Sequence, residues 1–136
     1  MNFKTVLIKL YYLLVHADGV VNEREIAIAS QMSKAESIDE KDFSSSIDSL
    51  KKRNAATVYS ESIEELKKLD HSTQVRCVAW LCVIANADGF MDKDEWQFIY
   101  KIYHKELGLN LDDVMKTQKE LIGLSREKSP LFLAVL

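Results

Sequence analysis

The sequence predicts an all-helical fold of about seven helices. Apolar residues recur three and four positions apart along most of the 136-residue chain, which is the spacing of one face of an α-helix. Only four glycines and one proline interrupt this pattern. No stretch shows the sustained polar–apolar alternation of an exposed strand. The length suits a single domain with its own core, spanning residues 1–136.

The first predicted helix runs from Phe3 to about Ala17, and a short turn joins it to the next helix. Gly19 supplies the left-handed residue that commonly follows the end of a helix. Asn22 is placed to cap the second helix, and Glu25 then falls at the third helical position, which completes a capping box. The core-facing stripe of the first helix contains Phe3, Val6, Leu7, Leu10, Leu14 and Ala17.

The same sequence of a helix-ending glycine, a capping residue and a capping-box glutamate recurs 70 residues later in the chain. There Gly89 ends a long apolar helix, Asp92 is the predicted cap, and Glu95 occupies the third helical position. Residues 13–26 align with residues 83–96 in their apolar and polar positions. We interpret this as an internal pseudo-two-fold repeat of a helix–turn–helix unit, with halves of roughly 1–70 and 71–136.

The remaining predicted helices connect and complete these two units. One begins at Asp39 and runs to about Arg53, and another extends from about Ala55 to Leu69. Ser72 is the predicted cap of the long apolar helix that leads to Ala87. The next predicted helix ends at Gly108, and another runs from Asn110 to about Ile122. A short apolar tail follows, which begins with Ser129 and Pro130.

Charge and hydropathy exclude two classes of partner. The net charge is −3, and the one basic cluster, Lys51–Arg53, is short and has no aromatic neighbours, so no nucleic-acid binding is expected. No segment approaches the ~20 apolar residues of a membrane span. Lys9 interrupts the apolar N-terminal run, which favours a core helix over the alternative of a signal peptide. With Cys77 and Cys82 expected as buried reduced thiols, the chain is predicted to be cytoplasmic.

The first turn resembles half of a calcium-binding EF-hand loop. With Asp18 at the fifth loop position, Gly19 is sixth, Asn22 ninth and Glu25 twelfth. The second turn places Asp88, Gly89, Asp92 and Glu95 in the same way. The first and third positions, which should be acidic, are not acidic in either turn. Such oxygen donors suit calcium or magnesium better than zinc, and the candidate ligands are Asp18, Asn22, Glu25, Asp88, Asp92 and Glu95.

Two explanations of these turns stay open. Helix capping accounts for Glu25 and Glu95 without any ion, in which case the turns are purely structural and the chain is a protein–protein interaction module. Capping does not account for Asp18 and Asp88, because a carboxylate at a helix C-terminus opposes the helix dipole. No nucleophile, base or phosphate-binding loop is recognisable, so we expect no enzyme. A hydrolase that uses paired carboxylates is the least favoured alternative.

The pattern Ala-Asp-Gly-x-x-(Asn/Asp)-x-x-Glu, present twice after a helix, resembles the TerB-like (tellurite resistance protein B) family. The resemblance covers nearly the whole chain. It implies a seven-helix domain from bacterial tellurite-resistance and stress-response systems. It also implies metal-binding roles for Asp18, Glu25, Asp88 and Glu95, with the capping positions secondary. The first turn departs from the pattern by having Asn22 in place of an acid.

The C-terminal residues 131–136 are all apolar. Such a tail has to dock on the domain, on a second copy of the chain or on a partner. Docking on the domain is the first expectation. A homodimer through the tail and an unknown protein partner are the alternatives.

Overall fold

The computed structural model describes residues 3–15, 23–87 and 93–128, with side chains to residue 123. Within these ranges the chain forms seven α-helices and no strand. A π-helical segment, Lys101–Glu106, continues α6 directly. The all-helical prediction is therefore confirmed. The helices are α1 (Phe3–Val15), α2 (Glu23–Ala35), α3 (Glu40–Leu50), α4 (Ala55–Lys67), α5 (His71–Ala85), α6 (Lys93–Tyr100) and α7 (Leu111–Lys128).

Helix α5 lies at the centre of the fold. It packs against α1, α2, α6 and α7, and every residue from Cys77 to Ala85 is buried. Helix α1 contacts α3, α4, α5 and α6. The predicted single core-facing stripe of α1 was therefore too narrow, because these neighbours also cover Ile8, Tyr12, Leu13 and Val15. Even Lys9 is largely covered, and its ammonium group lies 2.8 Å from the carboxylate of Glu65 on α4.

Of the predicted side-chain caps that lie within the described residues, Asp39 and Asn110 are confirmed and Ser72 is not. The Asp39 carboxylate accepts hydrogen bonds from the backbone amides of Lys41 and Asp42 at the start of α3. The prediction that Ser72 caps α5 is wrong. Asp70 is the cap instead, and its carboxylate accepts a 2.7 Å hydrogen bond from the Thr73 amide, so α5 begins at His71.

The helix that starts with α6 does not continue as a regular α-helix to its stop. It changes to the π-helical segment after Tyr100, and the Leu107 amide donates to the carbonyl of Ile102, five residues earlier. Gly108 then adopts a φ of +62°, which confirms it as the predicted stop. Helix α7 starts after Asn110 as predicted, but it runs to Lys128 rather than to about Ile122.

A buried polar cluster connects α5 to the residue that follows α2. One carboxylate oxygen of Glu36 accepts hydrogen bonds from the Trp80 indole and the Arg76 guanidinium, each at 2.6 Å. Trp80 is fully buried, whereas Arg76 keeps partial contact with solvent. Glu36 therefore provides the acceptor that the buried indole requires.

Across the described residues, none of the helices has the length and apolar character needed to cross a membrane.

Candidate functional site

The first candidate ligand within the described residues is Glu25, on α2. Helix α2 begins at Glu23, one residue after the predicted cap, so Glu25 is its third residue. The side chain of Glu25 is only 2% exposed and takes part in a further interaction within the protein. Burial raises the pKa of the Tyr11 phenol on α1, and the negative charge of Glu25 raises it further. The Glu25 carboxylate thus faces inward, within electrostatic reach of α1.

The second candidate ligand within the described residues is Glu95, on α6. Helix α6 begins at Lys93, again one residue after the predicted cap, so Glu95 is also a third residue. Its side chain is 4% exposed and likewise interacts within the protein. Helices α2 and α6 both pack on α5. The two glutamates therefore share the same helix position, the same inward orientation and a common neighbouring helix.

Burial of these glutamates was not predicted from the sequence. A capping-box glutamate usually stays near the surface, because it only needs to reach the backbone of the cap. The sequence did contain the signal, since Glu25 begins the stripe that continues with buried Ile28, Ala29 and Met32. Glu95 begins the equivalent stripe of α6, with Ile99 and Ile102.

The other four candidate ligands, Asp18, Asn22, Asp88 and Asp92, lie outside the described residues. The apolar tail also lies outside the described residues, so its docking stays a prediction. In the part of the chain that is described, no three or more His, Cys, Asp or Glu side chains are grouped as metal ligands. The pseudo-two-fold repeat and the convergence of the two turns therefore stay predictions.

Among the described residues, the other reactive side chains do not form a second site. Cys77 and Cys82 are buried free thiols, as predicted, and burial raises the pKa of each to about 12. Neither thiol is a nucleophile at neutral pH, because it stays protonated. At the surface, His71 Nε2 lies 3.7 Å from Asp113 Oδ2. The His104 ring stacks on the ring of Tyr100.

The comparison with protein families decides the classification. A sequence model of the family described as tellurite resistance protein TerB matches residues 4–119. The chain belongs to the TerB family. The matched segment of this TerB chain includes both Asp-Gly turns and all six candidate ligands. The resemblance inferred from the two turns is therefore confirmed, and at the family level the chain is a module related to tellurite resistance. Searches among curated proteins and among solved structures returned no match.

Proposed function

We propose that this TerB-family domain is a non-enzymatic module of a cytoplasmic tellurite-resistance or stress response that binds a divalent cation through its two Asp-Gly turns. The observation that supports the proposal is the burial of two glutamates, Glu25 and Glu95, at the same position of two helices. Calcium or magnesium is the expected ion, because both prefer carboxylate and carbonyl oxygens.

Electrostatics favours a cation near these two side chains. Removing a carboxylate from water costs several kcal/mol unless nearby charges or hydrogen bonds compensate it, and glutamate is almost never fully buried without such compensation. The N-terminal ends of α2 and α6 offset part of this cost, since a helix N-terminus favours negative charge. A bound cation would compensate further, and the remaining oxygen donors in the proposal are Asp18, Asn22, Asp88 and Asp92.

A thermal-unfolding scan of the metal-stripped protein tests the proposal. Calcium, magnesium, manganese or zinc is added at millimolar concentration. An ion present at about 100 times its dissociation constant stabilises the folded state by about 2.7 kcal/mol. With an unfolding entropy of about 2.1 cal/mol/K per residue, this corresponds to a rise in Tm of roughly 9 °C for a chain of 136 residues.

Variants of the two glutamates and one control identify the site. Glu25→Gln and Glu95→Gln keep the side-chain volume but remove the charge, and the double variant is expected to lose the shift. Glu120→Gln removes an exposed carboxylate on α7 and is expected to keep it. The double variant Asp88→Ala/Glu95→Ala tests the second turn alone. If no ion raises Tm, or if the glutamine variants respond as the wild type does, the turns are structural and the interaction-module alternative replaces the cation proposal.

A further inference from the structure

The exposed side of α6 and the π-helical segment carries a row of aromatic rings. The Trp96 and Tyr100 ring centroids are 6.2 Å apart, and those of Tyr100 and His104 are 4.9 Å apart with nearly parallel planes, 25° from each other. Trp96 is 39% exposed, Tyr100 is half-buried and His104 is exposed. On the opposite side of the same helix, Ile99 and Ile102 are fully buried. The buried ring of Tyr103 contacts Trp96, Tyr100 and His104, so the row rests on the core through Tyr103 and presents its outer side to solvent.

Three lysines lie along the same stretch of helix. Lys93, Lys101 and Lys105 are all exposed, and Lys101 holds its ammonium group 4.5 Å from the centre of the Tyr59 ring. None of the three forms an ion pair with another described residue. We call this surface the aromatic–basic face: Lys93, Trp96, Tyr100, Lys101, His104 and Lys105.

The acidic residues of this stretch do not neutralise the face. Glu95 is buried, and Glu106 is half-buried and accepts a 2.9 Å hydrogen bond from the Tyr59 hydroxyl. Asp94 is the exposed acid between residues 93 and 106. The exposed charged side chains among residues 93–106 are thus three lysines and one aspartate, on a chain whose net charge is −3. Such a local reversal of sign attracts negatively charged groups to one place on the molecule.

We infer that the aromatic–basic face binds an acidic segment of a partner protein. Tryptophan and tyrosine are the side chains that most often contribute the largest share of binding energy at protein interfaces. The surrounding lysines complement aspartate and glutamate, which favours encounter and sets the partner's register. A nucleic acid is disfavoured, because three lysines and no arginine provide few contacts for a chain of phosphates. The inference is independent of the cation proposal, since Glu95 points to the opposite side of α6.

The test selects binders for the full-length chain from a displayed library of random short peptides. We expect the selected peptides to combine aspartate or glutamate with apolar residues. Binding of the best synthetic peptide, labelled with fluorescein, is then measured by fluorescence anisotropy for every variant, and acrylamide quenching of the wild-type chain locates the bound peptide. Trp80 is buried, so the quencher reaches mainly Trp96, and the peptide should protect that ring.

Paired variants separate this face from the rest of the surface. Trp96→Ala should lower the affinity for the peptide by at least about ten-fold. Met115→Ala, at a 46%-exposed position on α7, should leave the affinity unchanged. Lys105→Glu should weaken it about ten-fold and remove most of its salt dependence. Lys119→Glu, the same charge reversal on α7, should do neither. Circular dichroism verifies the fold of each variant.

Several outcomes would overturn the inference. Selected peptides without an acidic bias would refute the stated chemistry of the partner. Equal binding by Trp96→Ala and Met115→Ala, or by the two charge reversals, would place the peptide elsewhere. Tighter binding of a short oligothymidylate than of the acidic peptide would make the face a nucleic-acid site. Loss of a wild-type dimer in Trp96→Ala would make a second copy the occupant.

Discussion

The substitution Glu36→Ala tests how strongly one buried carboxylate holds α5 in place. It removes the oxygen that accepts hydrogen bonds from Trp80 and Arg76, both at 2.6 Å. The two donors respond differently, because Trp80 is fully buried and Arg76 is partly exposed. Water can replace the carboxylate at the guanidinium, but it cannot reach the indole N–H without opening the core.

The expected destabilisation follows from these two environments. A buried donor left without an acceptor costs about 1–3 kcal/mol, and a hydrogen bond to a charged group contributes about 1.5–3 kcal/mol. The partly exposed ion pair with Arg76 adds about 0–1 kcal/mol. The free energy of unfolding should therefore fall by about 2–4 kcal/mol. At an unfolding entropy of about 2.1 cal/mol/K per residue, Tm falls by roughly 7–14 °C.

Urea unfolding, followed by far-ultraviolet circular dichroism and tryptophan fluorescence, measures this difference. Glu36→Gln keeps an oxygen for the indole and should lose less than half as much stability. Glu120→Ala, at an exposed position on α7, should change stability by about 0.5 kcal/mol or less. A Glu36→Ala protein as stable as the Glu120→Ala control would refute the reasoning, because the indole would then have found another partner.

Three further predictions concern the thiols, the backbone and a cap. Cys77 and Cys82 have pKa values of about 12 in the folded state, against an ordinary value of 9.0. Above about pH 9 the unfolded chain therefore releases protons that the folded chain keeps, and stability should fall by about 1.4 kcal/mol per pH unit for each thiol up to about pH 12. Urea titrations across this window measure the fall, and an equal slope in Cys77→Ala/Cys82→Ala would contradict it. Gly108→Ala should lower the free energy of unfolding by about 1–2 kcal/mol because of the positive φ alone, since a Cβ at this position would meet no atom within 4 Å. Ser37→Gly should stabilise the protein, because Ser37 has a φ of +59°. Thermal unfolding of both variants checks the opposite signs, and a stable Gly108→Ala protein would argue against strain. Asn54→Ala should cost about 1 kcal/mol by removing the hydrogen bond that the Asn54 side chain accepts from the Thr57 amide, whereas Asn54→Asp should be neutral. Equal stability of these two variants in urea would show that the cap contributes nothing.

Local sequence signals predicted several of the helix boundaries. Asp39 and Asn110 provide side-chain acceptors immediately before α3 and α7, and both helices start where these caps place them. Gly108 could be predicted as a stop because a positive φ strongly favours glycine. The end of α2 had no such signal, since Ser37 adopts the left-handed conformation there without being glycine.

Features that depend on packing could not be predicted in the same way. The change from α6 to the π-helical segment depends on how its side chains meet the surrounding helices, and Lys101–Glu106 has no local signature for it. The Glu36 cluster joins residues 40 and 44 positions apart, a distance over which no sequence spacing is informative. For the candidate site, the third-position glutamates were predicted, whereas their burial was missed although both glutamates begin the apolar stripes of α2 and α6.

The central position of α5 has a consequence for biosynthesis. When residues 71–85 leave the ribosome, α1 to α4 are already made, but α6 and α7 are not. The faces of α5 that α6 and α7 later cover remain exposed to water until about 40 more residues have been added. A nascent chain at this stage presents a contiguous apolar surface, and a translation product truncated before α7 should be captured by chaperones or aggregate.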